Sequence, residues 1–166
     1  MNTLKAEKRS MDVKAKKLRR EGFVTGNLFG REIEGSIPLK FTKKEIEVLL
    51  KNNNKGSQVM LELDGKTYDA LIKEVDYNPL AHTVEEVDFQ ALVSNEMVHS
   101  TAEIILENEE KVMSGVLQDE LKEVAYKALP ADLVDKIKVD VAGMKIGDTL
   151  RVKDLEIAKN KNIHIT

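Results

Sequence analysis

Hydrophobic positions recur with a period of two through the middle of the chain. Val59, Leu61 and Leu63 occupy every second place, the spacing of a half-buried strand. Asp64-Gly65 follows, the residue pair that accepts positive φ in a type I′ turn, which predicts a hairpin returning over residues 66–75. A further strand is predicted over 84–92. Its alternate positions Glu85, Val87, Phe89 and Ala91 are mostly apolar and face inward, which turns Glu86, Asp88 and Gln90 outward. Two stretches have helical spacing instead. Thr42-Lys43-Lys44-Glu45 forms a capping box, with Thr42 placed to accept the N3 amide and Glu45 to reach back. The helix it starts turns Ile46, Leu49 and Leu50 inward and ends at Asn52-Asn53-Asn54 and Gly56. Lys14 to Glu21 reads as a short helix stopped by Gly22. Beyond residue 94 the pattern is strand-like again, over 98–106, 121–128, 136–141 and 149–152. Pro130 introduces a turn with at most a helical fragment at 132–134, and Gly147-Asp148 marks another turn.

These elements predict a mainly β chain with short helices. Residues 92–96 interrupt two strand-like stretches, and charge changes at the same place. Residues 1–93 hold 16 basic and 15 acidic side chains, whereas 94–166 hold 10 and 14. Two domains are therefore expected, 1–93 and 94–166. The first is read as a small sheet with one or two helices, in a form open to closure as a barrel.

Composition narrows the chemistry. The chain of 166 residues has no cysteine, which removes disulfides and thiolate zinc sites. No apolar run reaches the roughly 18 residues that span a bilayer, and charge from Lys5 onward does not fit a signal peptide. A soluble cytoplasmic protein is expected. His82, His99 and His164 lie on separate elements, Glu85 and Glu86 point to opposite strand faces, and Ser114 has no evident base. Phosphate-loop, dinucleotide and nucleophile-elbow motifs are absent. The expectation is no enzyme, no cofactor, no metal and no small-molecule substrate.

Charge is the feature with functional content. Residues 1–31 carry nine Lys/Arg and three acids, a balance of +6 in a chain whose total is −3. On a helix Lys16, Arg19 and Arg20 fall at i, i+3 and i+4 and share a face. Lys17 lies beside them, Lys14 one turn before, and Leu18 opposite as an anchor. A solvated helix face would explain such a run, but cations so grouped also suit a phosphate backbone. Phe29, between Leu28 and Gly30, either stacks on a base or fills the core, with packing the favoured role. The acidic second half suits a basic protein neighbour or solvent.

The order of motifs resembles a known family. Residues 4–9 (Leu-Lys-Ala-Glu-Lys-Arg), 16–22 (Lys-Lys-Leu-Arg-Arg-Glu-Gly) and Phe29-Gly30 are similar to the opening of the bacterial large-subunit ribosomal proteins numbered twenty-five. Those proteins bind 5S rRNA, and their two-domain members are called general stress protein CTC. The resemblance continues through Asp64-Gly65-Lys66, residues 72–75, Pro79 and Val87-Asp88-Phe89. It then runs on through residues 115–118, Leu129-Pro130, 139–141, 146–148 and 152–155.

The resemblance implies an N-terminal six-stranded β-barrel domain that docks on 5S rRNA and a C-terminal β-rich domain. It implies an RNA-facing set of Arg9, Lys16, Lys17, Arg19, Phe29 and Asp88, to which the charge pattern adds Lys14 and Arg20. Asp88 would accept from a 2′-OH or a base amino group, unless it is simply a solvated strand carboxylate. It also implies a ribosome-associated location in the cytoplasm and neighbouring large-subunit ribosomal proteins as partners. Several positions depart from the family pattern. Ser10-Met11-Asp12-Val13 stands for a glycine loop, Phe29 for a tyrosine, Tyr77-Asn78-Pro79 for an Arg-His-Pro turn, and Glu86 for a histidine. Two functions are thus open, a structural 5S rRNA-binding component of the large subunit, or a diverged paralogue that kept the fold without specific 5S recognition and acts in stress or on another RNA or protein.

Overall fold

The structure is a computed structural model that describes residues 3–166. The chain divides into two compact units, 1–96 and 97–166.

The first unit is a closed barrel of six strands, β1 (Thr3–Lys8), β2 (Phe23–Phe29), β3 (Ser36–Thr42), β4 (Gln58–Leu63), β5 (Lys66–Asn78) and β6 (Thr83–Ala91). Around the barrel they run β1-β3-β2-β6-β5-β4. Two parallel pairings, β1 with β4 and β2 with β6, close a set of otherwise antiparallel neighbours, so the barrel has no free edge. Helix α1 (Ala15–Arg20) joins β1 to β2, and α2 (Lys43–Asn52) joins β3 to β4.

Local chemistry explains most of these elements. Thr42 accepts the Glu45 amide at 3.3 Å and starts α2, whose Ile46 and Leu49 are buried while Leu50 is half-buried. Asp64 and Gly65 both take positive φ between Leu63 and Lys66, forming the expected hairpin turn. Gly22, at φ +92°, ends α1. Val59, Leu61 and Leu63 fill the interior with Val87, Phe89 and Leu28, and the Phe41 and Phe89 rings pack tilted at 5.4 Å between centroids.

The second unit is a four-stranded sheet in the order β10-β8-β7-β9. Its strands are β7 (Val98–Glu107), β8 (Glu123–Ala128), β9 (Lys136–Asp140) and β10 (His164–Ile165), with a four-residue helix α3 (Glu156–Lys159). Ala102, Val124, Tyr126, Ala128 and Ile137 form its core with Leu155, Ile157 and Ile163 from the C-terminal segment. Tyr126 is fully buried, and its hydroxyl both donates to the Val134 carbonyl and accepts the Val134 amide, each at 2.7 Å.

Residues 149–152 are not a strand, contrary to their pattern. The Arg151 amide turns to the Asp154 carboxylate (3.0 Å) and the Asp154 amide returns to the Arg151 carbonyl (2.9 Å), winding Val152–Asp154 into a 3₁₀ turn. The helical fragment expected at 132–134 is a 3₁₀ turn at Pro130–Asp132, started by the proline. β8 begins at Glu123 rather than 121, although the Lys122 carbonyl still accepts the Ile104 amide of β7 at 2.9 Å. β5 runs three residues past its expected end and stops where the Asn78 side chain accepts the amides of Leu80 and Ala81.

Candidate nucleic-acid interface

Alternation along β2 buries Val24 and Leu28 in the barrel and sets Thr25, Asn27 and Phe29 on the outer face. β6 does the same with Val87 and Phe89 inside and Glu86, Asp88 and Gln90 outside. Because β2 and β6 are paired, with Thr25 opposite Glu86 and Phe29 opposite Gln90, these two outward rows make one polar strip.

The strip lies on a tight seam. A Cβ on Gly26 would sit 2.0 Å from the Val87 carbonyl oxygen, so only glycine lets the two backbones come so close. Asp88 spans this point. Its Oδ1 accepts the Asn27 backbone amide at 3.1 Å and the Asn27 side-chain amide at 3.3 Å. Asn27 Nδ2 also donates to Glu86 at 3.3 Å.

Arg19 reaches the same strip from α1. Leu18 is buried against the barrel, which aims Arg19 across β2. Its Nε donates to the Glu85 carbonyl and its Nη2 to Thr25 Oγ1, both at 3.1 Å, with Glu86 at 3.8 Å. Thr25 is thereby 1% exposed although it points out of the barrel. Arg9 enters from the other side. Its amide donates to the Pro38 carbonyl, and Pro38 is opposite Asn27. One guanidinium nitrogen donates to the Val13 carbonyl at 3.4 Å, while its buried Nε has no partner among the described residues.

Glu86 carries the main electrostatic tension. Partial burial and then the neighbouring Asp88 push its carboxyl above the ordinary range; Arg19 opposes them, Asp76 adds to them, and Arg9 opposes more weakly.

The remaining cations line the rim. Lys14, Lys16, Lys17 and Arg20 surround a shallow groove with Asp12 and Val13. Lys14, Lys16, Lys17 and Arg20 are all exposed, and Lys17 makes a long contact to Glu21 at 3.8 Å. The loop before α1 is closed by the Val13 amide on the Ser10 carbonyl and the Asp12 amide on Ser10 Oγ. Phe29 is half-buried on the outer face at the far end of the strip.

The fold thus gathers Arg9, Arg19, Phe29 and Asp88 on one face and Lys14, Lys16, Lys17 and Arg20 along its edge. It separates them in kind. Arg19 and Asp88 are tied into the seam, whereas the four rim cations are exposed to a ligand. Thr25, Asn27 and the Glu85 carbonyl complete the strip. Reading 23–29 as a strand would have placed Thr25 and Asn27 beside Phe29, but Gly26 masks that pattern. Among the described residues no group of three or more His, Asp or Glu side chains is placed to hold a metal, and no helix is long and apolar enough to cross a membrane.

Residues 4–89 match the model of the ribosomal L25p family. The chain belongs to the ribosomal L25p family. Residues 97–166 match a second model, the C-terminal domain of ribosomal protein TL5. Proteins named large ribosomal subunit protein bL25 are similar over most of both chains. One from Carboxydothermus hydrogenoformans is 33% identical, over 91% of this chain and 80% of its own length. One from Akkermansia muciniphila is 31% identical over 94% and 79%, and one from Thermoanaerobacter is 29% identical over 90% and 75%. Barrel and second sheet are thus the two-domain L25p and TL5 architecture, and membership places the chain among ribosomal proteins.

Proposed function

We propose that this L25p-family chain is a non-catalytic structural component of the large ribosomal subunit and binds 5S rRNA through the outer face of its barrel. The observation that carries the reading is the gathering, on one face, of residues spread from Arg9 to Asp88 in the sequence, with four exposed cations at its edge. Lys14, Lys16, Lys17 and Arg20 contact phosphates. The β2–β6 strip enters the wide, shallow minor groove, where 2′-hydroxyls and base edges are accessible. There the second oxygen of Asp88 accepts from a 2′-OH or base amino group, and the half-buried Arg9 adds positive charge beside the strip. Phe29 offers a ring face for stacking at the end of the strip.

The role of Arg19 differs from that of its helix neighbours. It holds α1 on the barrel and positions the rim rather than supplying a free charge. Glu86 is tolerated because Arg19 and Arg9 lie beside it. Replacing Lys14, Lys16, Lys17 and Arg20 by alanine tests the reading. Each phosphate contact contributes about 0.7–0.9 to the slope of log affinity against log salt, so the slope should fall by about 3. An unchanged slope for 5S rRNA overturns the assignment.

A further inference from the structure

The second unit carries an apolar patch that its own core does not use. Met113 and Val116, in the connection between β7 and β8, are 94% and 96% exposed. Ile146, in the connection after β9, is 76% exposed. The two connections touch, since a Cβ on Gly115 would lie 2.8 Å from Ile146 Cγ1. Neither is loosely attached. Val112 and Leu117 on one and Met144 on the other pack against the second core, so the exposed residues are held outward by anchored neighbours. The Asn108 side chain donates to Asp140 at 3.1 Å and joins the two connections at their base. The Lys145 amide donates to the Asp148 carboxylate at 2.8 Å and fixes the turn that presents Ile146.

Exposed apolar groups of this kind, rimmed by charge, mark an interaction surface. The sign of the rim selects the partner. Residues 109–122 carry Glu109, Glu110, Asp119 and Glu120 against Lys111 and Lys122, a balance of 2 − 4 = −2, and with Lys122 bound to Asp119 at 2.6 Å the open carboxylates are Glu109, Glu110 and Glu120. A phosphate backbone would be repelled there, and RNA offers little that matches Met113, Val116 and Ile146. We infer that this patch docks a basic segment of a neighbouring ribosomal protein, which lays apolar side chains on Met113, Val116 and Ile146 and Lys or Arg against the carboxylates. The inference rests on the ribosomal reading of the barrel.

Hydroxyl-radical footprinting of the free protein and of the protein assembled in purified large subunits tests it, together with carbodiimide cross-linking of the same particles. Oxidation of Met113 should fall roughly fivefold or more on assembly as the patch centre loses water. Carbodiimide should join Glu109, Glu110 or Glu120 to a lysine of an identified ribosomal protein. The variant M113S/V116S/I146S should lose that link while protection at Met11, beside the proposed RNA face, persists. Met113 equally reactive free and assembled, with Met11 protected, overturns the inference alone. Ultraviolet cross-links from residues 109–121 to rRNA, in place of protein links, also overturn it. Failure of the chain to co-sediment with large subunits overturns the ribosomal reading, and this inference with it.

Discussion

Replacing Arg19 by alanine separates the structural from the binding cations. The side chain makes two hydrogen bonds from a charged donor, to the Glu85 carbonyl and Thr25 Oγ1. Bonds involving a charged group are worth about 1.5–3 kcal/mol each. At the low end two give about 3 kcal/mol, and because the side chain is 31% exposed, water recovers part of this. The ion pair to Glu86 at 3.8 Å adds less than about 1 kcal/mol. Thr25 keeps the Glu85 carbonyl at 3.3 Å, so no buried hydroxyl is orphaned. The net expected loss is about 2 kcal/mol, which for a unit of this size is a fall in Tm of about 10 °C. Amides of β2 and β6 that exchange through opening of the barrel should then exchange about 30-fold faster. R19K should recover little, since an ammonium cannot reproduce the planar fork. K16A, which removes an exposed charge on the same helix face, should change stability by no more than about 0.5 kcal/mol. The assay is thermal unfolding read beside hydrogen exchange at the amides of residues 25, 27 and 87. An R19A protein that melts with the wild type, or a K16A protein that loses as much, would refute the division between seam and rim.

Three further outcomes follow from the same structure. Glu86 has a raised carboxyl pKa in the folded chain, so the native state holds its proton more tightly than the unfolded chain. Stability of the first unit should therefore fall as pH rises from the ordinary glutamate value of about 4.3 through the raised one, and E86Q should flatten that fall and raise stability at neutral pH; identical pH profiles contradict this. G26A should cost at least about 1–3 kcal/mol, since its methyl meets the Val87 carbonyl oxygen at 2.0 Å, with faster amide exchange confined to the first unit. Y126F should destabilise the second unit by about 2 kcal/mol by leaving the Val134 amide and carbonyl unpaired, measured as lost exchange protection in β7 and β8.

What the sequence made legible was whatever local chemistry dictates. The Thr42 cap, the Asp64-Gly65 turn, the Gly22 stop and the inward Val87 and Phe89 depend on near neighbours alone. The barrel's first three strands were not readable as pattern and entered only through the family resemblance. β1 has only Leu4 and Ala6 as apolar positions among Lys5, Glu7 and Lys8. β2 contains Gly26, and β3 contains Pro38, residues that count against a strand until the close approach to Val87 and the position opposite Asn27 are known. Helical spacing set Arg19 with Lys16 and Arg20, but its partner carbonyl lies 66 residues away at Glu85, a distance no local rule spans. Asp88 is similar. Its outward direction was readable, while its hold on Asn27 depends on the parallel pairing of β2 and β6. Residues 149–152 misled because apolar and polar residues alternate there, yet Asp154 captures the Arg151 amide and winds a turn.

The most direct test of the central claim is binding of the purified protein to 5S rRNA and to a tRNA control across a series of salt concentrations. The account predicts tight binding to 5S rRNA that persists near physiological salt, with a slope reflecting the rim cations, while tRNA binding is weak and collapses as salt rises. Equal, weak and equally salt-sensitive binding to both RNAs would contradict it and leave a chain that kept the barrel without the recognition.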